Sequence, residues 1–428
     1  MNQRTACACM VILALSFVVP LAQSAPPEID TYLKEGKLSD GVAAMQSAID
    51  DNPSDMNARF SLGVTQFLQA VERLGQDQYR FGLLGNRRRA IPFMRLPIPE
   101  NDQPETLTYE KARSLLQQFL DGLMLAEATL AEVKPADVKL SLTIGQIRMD
   151  LNSDGVATDE ESLWRALEAV RNPRQRGVSA PDVNQIVVVF DDADVLWLRG
   201  YCHVLSGLGE LALAYDWRDQ FERTAHLFYP DIESPYVYLQ QEGSGPFSGF
   251  NGQNILDLIA FIHTVNYECV EPDRMKVSLA HLESVIALSR ESWTLINLET
   301  DNDHEWLPNP KQTAALGEMR VSPQMQAGWQ EFLDESKAIL QGKKLLPFWR
   351  GIEGGAIFLD GRFPQNPDVG INVRKIFTEP ARLDLVLWLQ GTGLQPFLEQ
   401  GEQTDPETWG RIMEAFEGNF FLFMAWFN

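Results

Sequence analysis

Apolar residues recur at helical spacing through most of this chain, and alternating stretches are few. Ala112, Leu115, Phe119, Leu123, Ala126 and Leu130 mark one face of a helix from Thr108 to about Glu132. Leu163, Trp164, Leu167 and Val170 mark another, shorter amphipathic helix. From Val195 to Tyr215 almost every residue is apolar, yet Arg199, His203 and Glu210 would be costly in lipid, so the segment reads as a buried helix and not a membrane span. With Ser206 these residues fall at spacings of four, three and four, in one narrow stripe read as the solvated or inter-helix edge. A polar helix starts at Asp216-Trp217 and reaches His226. Asn254 caps an apolar helix through Tyr267, and Pro272 opens the next, through about Trp293. Ser322-Pro323 and Gly342 bracket a helix whose Met325, Trp329, Phe332 and Ile339 face inward. His263 and His281 sit singly in such helices and read as core or surface residues. Helices follow at about 381–389 and 406–416, and the aromatic tail Phe420–Phe427, too short to span a bilayer, is expected to dock on the core. Period-two patterning is confined to two places. Val138, Leu140, Leu142 and Ile144 alternate like a strand, although Leu140, Ile144 and Ile147 also fit a helix face. Ala356–Phe363 reads as a small hairpin turning at Asp360-Gly361. The expected fold is mainly α, a multi-helix protein with short strands near residue 150 and at 356–363.

The N-terminal helices carry their own pattern. One runs from Leu33 to Asp51 and stops at Asn52-Pro53, and a second runs from about Met56 to Leu74. Gly41, Met45, Ala48 and Pro53, followed by Leu62 and Gly63, resemble one tetratricopeptide repeat and the start of another. Arg59 and Gln66 stand where that family has large aromatics. The resemblance implies a packed helical hairpin over 25–75, available to a protein partner, and not a free-standing array. Residues 76–105 hold Gly82, Gly85, Pro92, Pro97, Pro99 and Pro104 and the basic cluster Arg87-Arg88-Arg89, and read as a solvated linker. The expected organisation is therefore 1–24, 25–75, 76–105, 106–230 and 231–428.

The stretch Asp150-Leu-Asn-Ser-Asp-Gly-Val-Ala-Thr-Asp-Glu-Glu161 carries the chemistry. Alternate residues of a curled loop point inward, so Asp150, Asn152 and Asp154 can converge on one hard cation, and Gly155 permits the sharp turn that follows. The stretch resembles the twelve-residue calcium loop of the EF-hand family. The resemblance implies calcium held by Asp150, Asn152, Asp154, the carbonyl of Val156, Thr158 directly or through water, and two oxygens of Glu161. Position 8, usually Ile, Leu or Val, is Ala157, and Gln146 stands where an entering helix would place an apolar residue. EF-hands pair through a short strand, and a shift of 33 residues aligns Val156 with Val189, Glu161 with Asp194 and Trp164 with Trp197. That suggests a degenerate second hand, with residues 187–191 pairing to 156–158 and lending no ligands.

Arg4, the apolar run from Ala6 to Leu21 and the exit Ala22-Gln23-Ser24 read as a secretory signal peptide over 1–24, so the chain is expected to be periplasmic or secreted, without a stable membrane anchor. Loss of that segment leaves 35 basic against 59 acidic residues, a net charge of −24, which repels nucleic acid and anionic lipid. Cys202 and Cys269 remain, as one disulfide or as two buried thiols. The chain shows no nucleotide-binding glycine loop, no serine elbow, no His-Glu-x-x-His and no cysteine cluster. Asp301-Asn-Asp-His-Glu-Trp306 is the next densest group of candidate ligands or acid–base residues, on an exposed turn. Two readings follow: a calcium-stapled scaffold or interaction protein, which is preferred, and an extracytoplasmic hydrolase, for instance polysaccharide-directed, with a Trp-lined acidic cleft around Asp301 and Asp303. A lone loop without a competent twin disfavours a calcium sensor.

Overall fold

A computed structural model describes residues 28–84, 96–134, 138–170, 186–240, 252–315, 320–350 and 369–427. The segment 1–24 read above as a signal peptide, Arg87–Arg89 and the hairpin expected at 356–363 lie outside the described residues. The fold is mainly helical. Helices α1 (Ile29–Glu35), α2 (Leu38–Asp51), α3 (Met56–Arg80), α4 (Tyr109–Ala131), α5 (Leu163–Val170), α6 (Asp192–Ala214), α7 (Arg218–Thr224) and α8 (Gly252–His263) occupy the first part of the chain. They are followed by α9 (Pro272–Ile296), α10 (Pro323–Leu340), α11 (Val373–Thr378), α12 (Leu385–Gln390), α13 (Pro406–Ala415) and α14 (Phe420–Phe427). Their starts are chemically marked. Asp55, Thr108, Ser322 and Asp405 accept backbone amides of the first turn, and Pro272, Pro323 and Pro406 sit where a missing N–H is harmless.

The long helices pack in chain order, α2 on α3, α3 on α4, α4 on α6 and α6 on α9, with α10 and α13 continuing the series. Small residues set the closest crossings. A Cβ at Gly63 would come within 2.5 Å of Leu130, and one at Gly209 within 2.4 Å of Leu120. One hydrophobic cluster draws on residues from Ile29 to Phe423, so all three helical regions contribute to a common core. The C-terminal helix does dock: Phe420 and Phe423 are buried, and Trp197 Nε1 donates to the Trp426 carbonyl at 2.7 Å. No helix among the described residues is long and apolar enough to cross a membrane.

Sheet structure is short and antiparallel. Strand β1 (Leu140–Thr143) pairs with β2 (Val187–Phe190), with Leu140 opposite Phe190 and Thr143 opposite Val187. This corrects the expectation of a second hand: 187–190 meets the strand before the loop and not residues 156–158. The alternation of buried Leu140 and Leu142 gives that ladder an apolar face, whereas Val156 and Thr158 stand exposed. Strands β3 (Tyr215–Asp216), β4 (Asn266–Cys269) and β7 (Leu383–Asp384) form one small sheet. Strands β5 (Leu346–Pro347), β6 (Gly370–Ile371) and β8 (Leu398–Glu399) form another. Cys202 is buried, Cys269 half-buried, and both are free thiols.

Candidate functional site

The loop 150–161 is approached through β1, a 3-10 turn at Ile144–Gln146 and extended backbone, so no helix enters it. Its two ends are drawn together: Arg148 and Ser162 form an antiparallel bridge, Met149 N donates to Glu161 O at 3.2 Å and Leu163 N to Ile147 O at 2.9 Å. A 3-10 turn at Asp159–Glu161 then leads into α5.

Within the loop, Asp150, Asn152 and Asp154 do gather. Asp150 accepts the amides of Asp154 at 3.2 Å and Gly155 at 3.0 Å, one on each carboxylate oxygen. Asn152 donates to Asp154 Oδ2 at 2.9 Å, and Asp154 Oδ1 accepts the Val156 amide at 2.8 Å. Gly155 sits at φ +84°, the left-handed conformation that needs no Cβ. The Val156 side chain points to solvent, leaving its backbone as the part available to a ligand. Glu161 is only 1% exposed. Its Oε1 accepts Leu151 N at 3.0 Å, and its Oε2 accepts Thr158 N at 3.0 Å and Thr158 Oγ1 at 2.7 Å. A carboxylate oxygen has two lone pairs, so the four oxygens of Asp150 and Asp154 each keep one after these bonds.

The loop is also clamped from outside. Glu72 of α3 accepts the Asp150 amide at 2.8 Å, and Gln76 donates to the Asp150 carbonyl at 2.8 Å. Burial, with the negative charge of Asp150 adding to it, pushes the Glu72 carboxyl up to about 7, against the lowering effect of that amide. At the other side Arg148 N donates to Leu33 O, and Gly36, which ends α1 at φ +67°, lies so close that a Cβ there would be 2.2 Å from that of Ala157. This close approach leaves no room for a side chain at residue 36.

A second acidic group was only partly legible in the sequence. Oxygens of Asp191, Glu299 and Glu305 lie within 4.8 Å of one another. Asp191 caps α6, Glu299 follows α9, and Glu305 turns inward from the segment 301–306. Burial raises the carboxyls of all four acids, Asp194 included; the charge of Asp191 adds to this at Glu299 and Glu305, while hydrogen bonding to Glu299 works to lower Asp191. Of the other residues nominated in 301–306, Asp301 pairs with Lys139 at 2.6 Å, and Asp303 and His304 are exposed and contact each other. The signal that could have pointed to Asp191 and Asp194 is an Asp-x-x-Asp pair opening a mostly apolar helix. Sequence alone reads it as a cap.

The stripe on α6 faces its neighbouring helices. Arg199 pairs with Glu127 of α4 at 2.9 Å, and Glu210 pairs with Arg274 of α9 at 2.8 Å. His203 lies 3.5 Å from Glu127 and places its Nδ1 2.7 Å from Nδ1 of His281. Hydrogen bonding to His203 leads the causes that lower the Glu127 carboxyl. Burial, then the charge of His203, lowers the His281 imidazole. The inter-helix reading of this stripe therefore holds.

Fold and sites together define a mainly helical protein with two acidic, oxygen-rich centres. No known family model, curated protein or solved structure matches the chain.

Proposed function

We propose that the loop 150–161 binds one calcium ion and that the ion is structural, in an exported helical protein with a scaffold or protein-interaction role centred on its N-terminal helices. The observation that carries this reading is the clamp: the same loop that curls Asp150, Asn152 and Asp154 together is bonded to α3 through Glu72 and Gln76 and seats the end of α1 on Ala157. Asp150, Asn152, Asp154, the Val156 carbonyl, Thr158 and Glu161 would supply the oxygens, a set that a hard cation prefers, with Glu161 giving up its bonds to Leu151 and Thr158 to join the others. Three carboxylates around a divalent cation leave a net −1, so removing the ion leaves repulsion that loosens both helices from the loop. The hydrolase reading has less support, because Asp301 is engaged by Lys139.

The test is thermal. For a weak extracytoplasmic site with Kd of about 0.1 mM, about 1 mM calcium adds roughly 1.4 kcal/mol of stability. Over a chain of this size that raises Tm by about 2 °C. The rise should vanish in Asp150→Ala and Glu161→Gln. An unaltered chain whose melting ignores calcium, and which shows no calorimetric binding, would sink the proposal.

A further inference from the structure

The four carboxylates at the start of α6 and after α9 have a geometry of their own. An ion held at about 2.0–2.6 Å from each ligand keeps those ligands within roughly 5 Å of one another. Asp191, Glu299 and Glu305 satisfy that spacing, with oxygens no more than 4.8 Å apart. Each of the four side chains accepts at least one donor, and Asp191 takes the Asp194 amide as well as that of Ala193. Asp191 Oδ1 accepts Ala193 N at 2.8 Å, Asp194 Oδ2 accepts Asp191 N at 2.9 Å, Glu299 Oε2 accepts Gln312 Nε2 at 3.1 Å and Glu305 Oε1 accepts Asp303 N at 2.8 Å. Such outer bonds orient a ligand while leaving its second oxygen to the ion.

Asp194 supplies the independent sign. It is 3% exposed, and its Oδ1 is fully buried with no hydrogen-bond partner. Its other oxygen, Oδ2, accepts Asp191 N at 2.9 Å, which places the Asp194 carboxyl beside the Asp191 member of the cluster. A buried carboxylate oxygen without a donor is rare in folded proteins and calls for an unrecorded partner.

We propose that Asp191, Glu299 and Glu305, with Asp194 buried beside Asp191, form a second site, for a hard divalent cation of the calcium, magnesium or manganese class. Carboxylate ligands alone, with neither imidazole nor thiolate among them, select that class over zinc or copper. The site ties the N-terminus of α6 to the segment leaving α9, and so closes the end of the α6–α9 pair. It is independent of the loop at 150–161.

Calorimetry and melting with calcium, magnesium or manganese chloride, each in turn, test it on the full chain carrying Asp150→Ala, which silences the loop. The expected result is one remaining site for at least one of the three cations and a Tm that rises with that cation. Adding Asp194→Asn or Glu299→Gln should weaken binding at least tenfold while the Tm in EDTA holds or rises, since neutralising one member relieves repulsion. In the chain without the loop substitution, the same changes should lower the stoichiometry by one. The proposal is overturned if the loop-silenced chain binds none of the three cations at millimolar concentration, or if Glu299→Gln leaves stoichiometry and affinity unchanged. Failure of the loop reading would show separately, as an Asp150→Ala chain that binds as the unaltered one does.

Discussion

Gly36→Ala probes the seat of α1 on the loop, and two separate costs can be worked from the structure. Gly36 ends α1 at φ +67°, where a residue with a Cβ is disfavoured by about 1–2 kcal/mol. The added Cβ would also stand 2.2 Å from the Ala157 Cβ, a distance that forces α1 and the loop apart. Relieving such an overlap in a packed site costs about 1–3 kcal/mol. The single substitution should therefore destabilise the chain by roughly 2–5 kcal/mol. Ala157→Gly removes the clash and not the backbone strain, so in that background Gly36→Ala should cost only about 1–2 kcal/mol. The non-additivity, about 1–3 kcal/mol, is the signature of direct contact. Urea unfolding of the four chains of the cycle, followed by circular dichroism in 1 mM calcium, measures it. Gly36→Ala should also weaken the calcium response, because it displaces the backbone that carries Thr158. An equal cost in both backgrounds, or a cost below about 0.5 kcal/mol, would refute the idea that α1 is seated on the loop.

Two further outcomes are expected. His281 is buried against His203, and its imidazole titrates below the ordinary value of 6.5 because burial and then the His203 charge disfavour its cation, with Glu210 and Glu127 opposing. A depressed folded-state value gives a contribution that is fully present above the unfolded pKa and is lost as pH falls through the folded one. Urea midpoints should therefore decline below about pH 6.5, and His281→Asn, which keeps an acceptor for His203, should flatten that decline. An unchanged slope would count against it. Phe423 is 1% exposed and stacks on Trp293 at 6.2 Å, so Phe423→Ala should cost about 3–5 kcal/mol in the same urea assay. A loss under about 1 kcal/mol would show that the C-terminal helix is not part of the core.

The helices were legible because a 3.6-residue period repeats many times in each, as in Ala112 to Leu130 of α4. The strands were half legible. The alternation at Leu140 and Leu142 and the Val187–Phe190 run both marked strand, but their partnership did not follow from either. A pairing rule taken from the EF-hand resemblance sent Val187–Phe190 to the wrong neighbour, since register is decided by which faces can be buried together. The curl of Asp150, Asn152 and Asp154 could be read locally, because spacing within a loop fixes direction. The cluster at Asp191 and Glu299 could not, because more than a hundred residues separate its members and only the α6–α9 packing unites them. Local density pointed to Asp301–Glu305, and there consecutive side chains diverge, with Glu305 alone turning inward among the acids.

The seam between α4, α6 and α9 has a consequence for how these helices are indexed. Gly207 and Gly209 let α6 approach its neighbours closely, and a smooth, close, apolar contact of that kind would tolerate a helix sliding along its partner by one turn, about 5.4 Å. The polar groups forbid it. Arg199 meets Glu127, Glu210 meets Arg274, and Arg274 also reaches Gln117 at 2.7 Å, so three helices are cross-referenced at two levels. A one-turn slide would part both ion pairs at once and leave half-buried charges alone, at about 3–5 kcal/mol for each broken pair. The stripe on α6 thus works as a vernier: it adds little to net stability and makes one alignment of the bundle far better than its neighbours.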